Sequence, residues 1–157
     1  MNPLTRIEMV VYLQAVDLFT HCTAEQIVRI ATIARQRRFV AGDRIYGNND
    51  PAETLFCVVE GQVTLRGDGG ERRIEAPGTF GVEEILSDRL RYGEAVAMTD
   101  TVALGIDAED FFDLLSNNIE IVKALFRQLL QTTAQADGGA WRLLSAPTGA
   151  TVEPTTP

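Results

Sequence analysis

The sequence predicts an α+β fold in which helices flank an antiparallel β roll, and three observations lead to this class. Apolar residues recur at helical spacing near the N-terminus and again after Asp107. The segment from Phe39 to Ile106 instead has ten glycines with short β-rich runs between them. The chain has 157 residues, which suits one compact domain with a short appendage. Helices before and after such a roll pack at one end of it.

Two helices are predicted before the roll. From Leu4 to Val16, apolar residues at three- and four-residue spacings indicate a short amphipathic helix. Thr23 begins the second helix, because threonine is a good N-cap and Gln26 stands at the N3 position of a capping box. The predicted buried stripe of the second helix is Ile27, Ile30, Ala31 and Ala34. The residues interpreted as its solvated basic end, where cations suit the helix dipole, are Arg35, Arg37 and Arg38.

The central block is predicted to hold six strands. They are Arg44–Tyr46, Thr54–Val59, Gln62–Arg66, Arg72–Glu75, Glu94–Met98 and Thr101–Ile106. In the last run, large apolar residues alternate with small ones, which is typical of a strand with one face in the core. The turn sequences Glu60-Gly61 and Gly67-Asp68-Gly69-Gly70 are of the kind that joins antiparallel neighbours.

Two further helices are predicted after the roll. Asp107 caps the first, Asn117-Asn118 breaks it, and the second begins at Ile119. The apolar residues of the first are Phe111, Phe112, Leu114 and Leu115. The predicted apolar face of the second is Val122, Leu125, Phe126, Leu129 and Leu130. We therefore expect a domain over residues 1–136 and a flexible Gly/Pro/Thr-rich tail or linker over residues 137–157.

Composition and charge exclude several classes of function. The net charge is −8, Lys123 is the only lysine and the arginines are scattered, which disfavours nucleic acid and anionic membranes as partners. No apolar run is long enough to span a bilayer, so we expect no membrane insertion and a cytoplasmic location. One histidine and two separated cysteines give no metal site. No nucleophile has a neighbouring base, so we expect no catalytic residues and no enzyme activity.

The segment after Gly78 interrupts the strand pattern. It contains a glycine-led turn, one predicted helical turn at Glu83–Leu86, and Arg91 shortly before the next strand. Backbone N–H groups at a helix N-terminus facing an arginine form a physically sound phosphate cradle, and Arg91 would add a bidentate charged contact.

Six phrases, in this order along the chain, resemble the cyclic-nucleotide-binding domain family. They are Val16–Phe19, Phe39–Tyr46, Asp50–Ala52, Val59–Val63, Pro77–Gly81 and the single residue Arg91. The resemblance runs from about Val16 to Gln131 and includes no helix-turn-helix after the last helix. It implies a jelly roll (double-stranded β-helix) with a regulatory role. The ligand it implies is a small anionic nucleotide, cAMP or cGMP, with no other cofactor and no metal.

The resemblance also implies the ligand-binding residues. Members that bind a cyclic nucleotide use an arginine on the cyclic phosphate, which matches Arg91, and a glutamate on the ribose, whose place is taken by Val82. Loss of one charged hydrogen bond would cost about 1.5–3 kcal/mol, or roughly 10–100-fold in affinity. The expected site residues are Phe80, Gly81, Val82, Glu83, Glu84, Ile85, Arg91, Tyr92 and Gly93.

Further departures surround Arg91. Glu84 stands where binding members of the family usually have a small residue, and a carboxylate there repels an anion. In the ligand-free hypothesis, Glu83 and Glu84 lie in the first turn of the short helix, and one of them pairs with Arg91 so that a protein carboxylate takes the place of the phosphate. Alternatively, the loop slips by one residue and Glu83 takes the ribose role. Tyr92 and Gly93 also differ from the small or hydroxyl residues common after the arginine, which weakens any choice between cAMP and cGMP.

Two functional hypotheses therefore stay open. The first is a ligand-sensing regulatory domain with weak or altered nucleotide specificity, in which Trp141 is a candidate lid over the bound base. The second is a degenerate, ligand-free member that serves protein contacts, including homodimerisation through the last helix. In that case the domain could be the cytosolic part of a larger protein such as a transporter.

Overall fold

The computed structural model describes residues 2–137. Its helices are α1 (Arg6–Gln14), α2 (Ala24–Ala31), α3 (Val82–Leu86), α4 (Ala108–Ser116) and α5 (Ile119–Asp137), with a 3₁₀ turn at Asp17–Phe19. Its strands are β1 (Ala34–Phe39), β2 (Arg44–Tyr46), β3 (Thr54–Glu60), β4 (Gln62–Gly67), β5 (Gly70–Glu75), β6 (Thr79–Phe80), β7 (Gly93–Ala97) and β8 (Thr101–Asp107). Trp141 and the predicted tail after Asp137 lie outside the described residues.

The strands form two antiparallel sheets within the described part of the chain. One has the order β1-β8-β3-β6 and the other the order β2-β7-β4-β5. Side chains from both sheets meet in an inter-sheet core that contains Phe56, Val63 and Ala103. The other face of the first sheet packs against helical residues such as Phe19 and Phe111 in a second, helix-facing core. The predicted α+β roll with flanking helices is confirmed.

Strand β8 has both faces in a core, whereas its alternation predicted one. Leu104 and Ile106 face the helices, and Ala103 faces the opposite sheet. A small residue suffices on the inter-sheet side because the rings of β3 and β6 already fill that space; those of Phe56 and Phe80 stack with centroids 5.0 Å apart. The large residues of β8 therefore face the helix-facing core and Ala103 faces the inter-sheet core, so neither side of the strand faces solvent.

The predicted end of α2 is wrong. The capping box of Thr23 and Gln26 is confirmed, but the helix ends at Ala31. Ala34 instead pairs with Ile106 of β8, and the basic residues interpreted as a helix terminus lie on β1. Six consecutive residues of β1 pair in register with β8, and this pairing outweighs the local helical pattern.

The apolar face predicted for α5 is rotated from the observed one, and in α1 and α4 some apolar residues are exposed. In α1 the fully buried residue is Leu13, while Ile7 and Val11 are exposed. In α4 Phe111 is buried and Phe112 is exposed. In α4 the predicted residues Leu114 and Leu115 pack against the helix-facing core. In α5 the buried residues are Ile121, Ala124 and Leu125, and the exposed ones include Phe126 and Leu129. These helices carry apolar residues on more than one face, so packing against the rest of the fold decides which face is buried.

All six predicted strands are present; Arg44–Tyr46 has the predicted ends, and the other five differ by at most two residues at either end. The sequence reasoning missed β1 and the two-residue strand β6. The predicted turn at Gly67–Gly70 joins the antiparallel neighbours β4 and β5, whereas the turn at Glu60-Gly61 connects β3 and β4, which lie in different sheets. Gly61 has φ +96°, a conformation that favours glycine. Within the described residues, no helix is both long and apolar enough to cross a membrane.

Candidate functional site

The short helix α3 begins at a glycine that the fold requires. Gly81 has φ +85° and precedes Val82, the first residue of α3. A Cβ atom at this position would lie 3.1 Å from the Thr54 carbonyl oxygen and 3.2 Å from Nη1 of Arg91. The close approach of Gly81 to these two groups brings α3 and Arg91 together.

Arg91 is buried in a ring of acceptors supplied by the protein. Its Nη1 donates to the Gly81 carbonyl oxygen at 2.8 Å and to Oε1 of Glu84 at 2.9 Å. Its Nη2 donates to the Thr54 carbonyl oxygen at 2.5 Å. The guanidinium lies over the ring of Tyr46, with Cζ 4.1 Å from the ring centroid. Arg91 is 2% exposed and Glu84 is 6% exposed, so the ion pair is buried.

The backbone of Arg91 is fixed as firmly as its side chain. Its N–H donates to the Asp50 carbonyl oxygen at 2.9 Å, and its carbonyl oxygen accepts from the Asn49 N–H at 2.7 Å. Nε of Arg91 is buried and has no hydrogen-bond partner among the described residues. Four of the contacts of this residue are thus to backbone groups of other segments, and its position is determined by the fold.

A cavity of about 600 Å³ lies beside this ion pair. Its wall is formed by the β4–β5 hairpin, β6 with the start of α3, and the start of β7, together with Leu18 and Leu129. Val82 lines the cavity and offers it no polar atom. Glu84 also lines the cavity, whereas Arg91 does not and lies behind it. Glu84 is therefore the member of the ion pair that borders the cavity.

Two neighbouring residues at the mouth of the cavity form a second polar contact. The Tyr92 hydroxyl donates to Oε1 of Glu83 at 2.5 Å, and both side chains are exposed. That hydrogen bond, with partial burial and the negative charges of Glu83 and Glu84, raises the pKa of Tyr92 to about 12. Burial, followed by the charge of Glu84, raises the pKa of Tyr46 to about 12, against the lowering effect of Arg91.

The opposite wall carries a second arginine whose charge is balanced locally. Nε of Arg66 lies 2.9 Å from Oε2 of Glu71, and its Nη1 lies 3.5 Å from Oε2 of Glu94. The side chain of Arg66 is 41% exposed, so this network remains in contact with solvent. Arg91 and Arg66 are therefore both already paired with carboxylates.

The structure brings most of the predicted site residues to one wall. Those that line the cavity are Phe80, Gly81, Val82, Glu83, Glu84, Tyr92 and Gly93. Ile85 packs in the helix-facing core, and Arg91 lies behind the wall. The expected pairing of Arg91 with one of the two glutamates is confirmed for Glu84. Arg91 also donates to the carbonyl oxygens of Gly81 and Thr54.

Sequence reasoning missed two residues that shape this region. Tyr46 lies at the end of β2 and covers the Arg91 guanidinium, and no local pattern links these two positions. Arg66 belongs to the hairpin whose glycine-rich turn was recognised, but its pairing across to Glu94 depends on the register of β4 with β7. In the part of the chain that the structure describes, His, Cys, Asp and Glu side chains form no cluster that could hold a metal ion.

A β roll with helices against one sheet and a cavity beside a short helix is an architecture that encloses a small molecule. The family model of the cyclic nucleotide-binding domain matches residues 36–118, more than half of the chain. The chain therefore belongs to the cyclic nucleotide-binding domain family.

Curated relatives are much longer than this chain. A cyclic nucleotide-gated potassium channel of Rhizobium etli is 27% identical over 117 residues, which are 74% of this chain and 33% of the relative. A cGMP-dependent 3′,5′-cGMP phosphodiesterase of Dictyostelium discoideum is 22% identical over 121 residues, which are 77% of this chain and 14% of the relative. The chain spans a third or less of the length of these two relatives.

Solved structures share the fold. The sensor domain of the transcriptional regulator DNR from Pseudomonas aeruginosa is similar with a TM-score of 0.71 and 16% identity, covering 93% of this chain and 98% of that one. The regulatory domain of Toxoplasma gondii protein kinase A, solved with cAMP, is similar with a TM-score of 0.70 and 17% identity, covering 83% and 50%. At these identities the likeness shows the fold alone.

Proposed function

We propose that this chain is a non-enzymatic regulatory domain in which Glu84 occupies the place of a ligand phosphate on Arg91, so that cyclic nucleotides bind weakly. The observation that carries the proposal is the buried ion pair, with Nη1 of Arg91 2.9 Å from Oε1 of Glu84. Two similar proteins support the ligand class, since the Toxoplasma gondii regulatory domain was solved with cAMP and the Rhizobium etli channel is gated by cyclic nucleotides.

A phosphate must displace Glu84 before it can reach Arg91. Glu84 lines the cavity wall, is 6% exposed and would have to separate from the guanidinium. Leaving a buried charge without its partner costs about 3–5 kcal/mol. That cost exceeds the approximate 1.5–3 kcal/mol of one charged hydrogen bond. We therefore expect affinity for a cyclic nucleotide to fall by roughly a hundredfold or more.

Val82 adds to this loss and leaves nucleotide specificity unassigned. It stands where binding members of the family place the glutamate that contacts the ribose, and its side chain offers only carbon. The expected preference between cAMP and cGMP is therefore small. The net charge of −8 also supports the proposal that this domain binds no nucleic acid. We propose the cytoplasm as its location.

Calorimetric titration with cAMP and cGMP tests the proposal. The natural sequence should show weak binding or none. Glu84→Ala should increase cAMP affinity by about a hundredfold, because the phosphate no longer competes with a carboxylate for Arg91. Glu83→Ala is the matched control, since Glu83 is on the same helix and makes no ion pair with Arg91. It should change affinity by less than about tenfold.

Two further variants make the result decisive. Val82→Glu combined with Glu84→Ala should bind more tightly than Glu84→Ala alone. Adding Arg91→Lys to that double variant should reduce binding, because lysine cannot reproduce the bidentate contact of arginine. Circular dichroism confirms that each variant is folded. Low-micromolar binding by the natural sequence that disappears in Arg91→Lys would contradict the proposal.

A second candidate function is self-association through α5. Three apolar side chains of this helix are exposed, with Phe126 at 61% and Ile119 at 63%, together with Leu129. Such side chains are typical of an interface when they share a helix. We expect a concentration-dependent dimer in sedimentation velocity that Phe126→Ala weakens and the exposed control Lys123→Ala does not. A monomer at all concentrations would contradict this second candidate.

A further inference from the structure

We propose that Tyr46 is a positioning residue for Arg91, because its ring holds the guanidinium where Nη1 meets an anionic group. In the natural sequence that group is the Glu84 carboxylate, with Oε1 2.9 Å from Nη1. The part of the inference that concerns a ligand phosphate rests on the proposed function. The inference goes beyond that function by assigning the placement of the arginine to a residue of β2, outside α3 and the segment that follows it.

A break in the register of β2 directs the Tyr46 side chain. Arg44 pairs with Val96 of β7. Tyr46, two residues later, pairs with Ala95, which is only one residue away on β7, so β2 contains a bulge. Ile45 and Tyr46 both pack against the inter-sheet core, although consecutive residues of a regular strand point to opposite faces. The bulge therefore gives Tyr46 a direction that regular alternation would not.

The loop that follows Tyr46 holds the backbone of Arg91. The Asn49 N–H donates to the Arg91 carbonyl oxygen at 2.7 Å, and the Arg91 N–H donates to the Asp50 carbonyl oxygen at 2.9 Å. Oδ2 of Asp50 accepts from the Gly47 N–H at 2.8 Å, which closes the loop directly after Tyr46. One segment of the chain therefore contacts Arg91 at both its backbone and its guanidinium.

The ring of Tyr46, rather than its hydroxyl, is the part that acts on Arg91. Cζ of Arg91 lies over the ring, 4.1 Å from its centroid. The Tyr46 hydroxyl makes no hydrogen bond with the residues that the structure describes. Because Arg91 is 2% exposed, the attraction between the cation and the negative face of the ring is little weakened by water.

The ring also links the arginine to the cavity and to the inter-sheet core. Tyr46 and Glu84 both line the cavity and contact Arg91, which does not line it. The centroid of Phe80 lies 6.2 Å from that of Tyr46, and Phe80 in turn stacks on Phe56. The Tyr46 ring is thus held by other rings. Without it, the guanidinium would keep only its hydrogen-bonded contacts to Glu84 and to two carbonyl oxygens.

Two substitutions separate the ring from the rest of the side chain. Tyr46→Phe keeps the ring, and Tyr46→Leu removes it. Nε of Arg91 is buried, so its proton should exchange slowly and give a signal in a ¹⁵N-edited NMR spectrum of the full chain, assigned by its loss in Arg91→Lys. We expect the ring current of Tyr46 to displace this signal upfield. Tyr46→Phe should keep the displacement and Tyr46→Leu should abolish it.

Nucleotide affinity is measured in the Glu84→Ala background, where the phosphate of cAMP is expected to reach Arg91. Adding Tyr46→Leu should weaken cAMP binding roughly tenfold, and adding Tyr46→Phe should change it by less than about threefold. Adenosine has no phosphate, so Tyr46→Leu should change its affinity by less than about threefold. A loss for adenosine equal to that for cAMP would show that Tyr46 acts on the ligand directly, and it would overturn the inference.

Phe39→Leu is the control for loss of a ring from the same core. Phe39 packs against the inter-sheet core, contacts Phe56 with centroids 6.0 Å apart and does not line the cavity. It should leave the Arg91 signal and the cAMP affinity unchanged. Equal changes in Phe39→Leu and Tyr46→Leu, equal changes in Tyr46→Phe and Tyr46→Leu, or no change in Tyr46→Leu would overturn the inference. If circular dichroism shows Tyr46→Leu unfolded, Tyr46→Met is measured in its place.

The two proposals fail in distinguishable ways. If Glu84→Ala gains no cAMP binding, the proposed function is wrong, and the Arg91 signal in the natural sequence still decides whether Tyr46 positions the arginine. If Glu84→Ala gains cAMP binding but Tyr46→Leu changes neither the signal nor the affinity, the inference is wrong and the proposed function stands.

Discussion

Arg66 lines the cavity and Arg91 lies behind its wall, and although both are paired with carboxylates, their surroundings differ. Arg91 is 2% exposed and holds Glu84 together with two backbone carbonyl oxygens. The side chain of Arg66 is 41% exposed and holds Glu71 and Glu94 on a hairpin. The buried pair has no water to replace a lost partner, whereas the exposed network does.

The difference explains which arginine an incoming anion could use. Separating Arg66 from its carboxylates exposes charges that water already solvates, so it costs little. Separating Arg91 from Glu84 leaves a desolvated charge on each side, so it costs much more. Under the proposed function, one side chain keeps an anion at this cavity from its strongest potential partner, and substitutions at single positions can test this contrast.

The largest expected effect follows from removing the buried arginine. Arg91→Ala deletes the contacts to Glu84, Gly81 and Thr54 and leaves Glu84 buried without a partner. We expect the free energy of unfolding in urea to fall by about 3–5 kcal/mol. Replacing both members of the pair, Arg91→Met with Glu84→Met, should restore much of this loss, because two apolar side chains leave no unpaired charge. A loss below about 1 kcal/mol for Arg91→Ala would show that the pair behaves like an exposed one.

The sequence suggested that Arg91 pairs with a glutamate, but it did not show whether the partner is Glu83 or Glu84. Both residues lie in the first turn of α3, and the direction of each depends on how that short helix packs against β3. Tyr46 was missed because it reaches Arg91 across the fold from β2. Local spacing carries no information about such a contact.

The same distinction between local patterns and contacts distant in sequence applies to the rest of the fold. Capping boxes and glycine turns were predicted because their chemistry is local, as at Thr23 with Gln26. The strand β1 and the buried face of α5 were not predicted, because each depends on packing against residues that are distant in sequence. Ala34 and Arg35 carry a helical pattern and become a strand only because β8 pairs with them.

A smaller effect is expected at the exposed network. Arg66→Ala removes the contacts to Glu71 and Glu94, whose side chains are 64% and 32% exposed. We expect the free energy of unfolding to fall by about 0.2–1 kcal/mol at low salt, and by less as salt screens the charges. Urea denaturation at two salt concentrations measures it. A loss as large as that of Arg91→Ala would remove the contrast between the two arginines.

The smallest effect concerns the hydrogen bond that fixes Glu83. The pKa of Tyr92 is raised from 10.0 to about 12, first by its bond to Glu83, so the protonated phenol is favoured by the folded state. This stabilisation is fully present below pH 10 and is lost as the pH rises through about 12. In Glu83→Gln the pKa of Tyr92 should fall toward its ordinary value, because the hydrogen bond to the Glu83 carboxylate, which is the largest cause of the rise, is removed.

Ultraviolet absorbance of tyrosinate follows this titration, with Tyr46→Phe as the background in both arms. That background removes the second tyrosine whose pKa is raised to about 12, in this case mainly by burial, and keeps an aromatic ring against Arg91. A titration of Tyr92 at the same pH with and without the Glu83 carboxylate would show that the phenol does not hold Glu83 in place. A shift of the Tyr92 titration toward pH 10 in Glu83→Gln would instead show that this hydrogen bond holds the Glu83 carboxylate at the cavity mouth. Glu83 would then be positioned by Tyr92, just as Glu84 is positioned by Arg91.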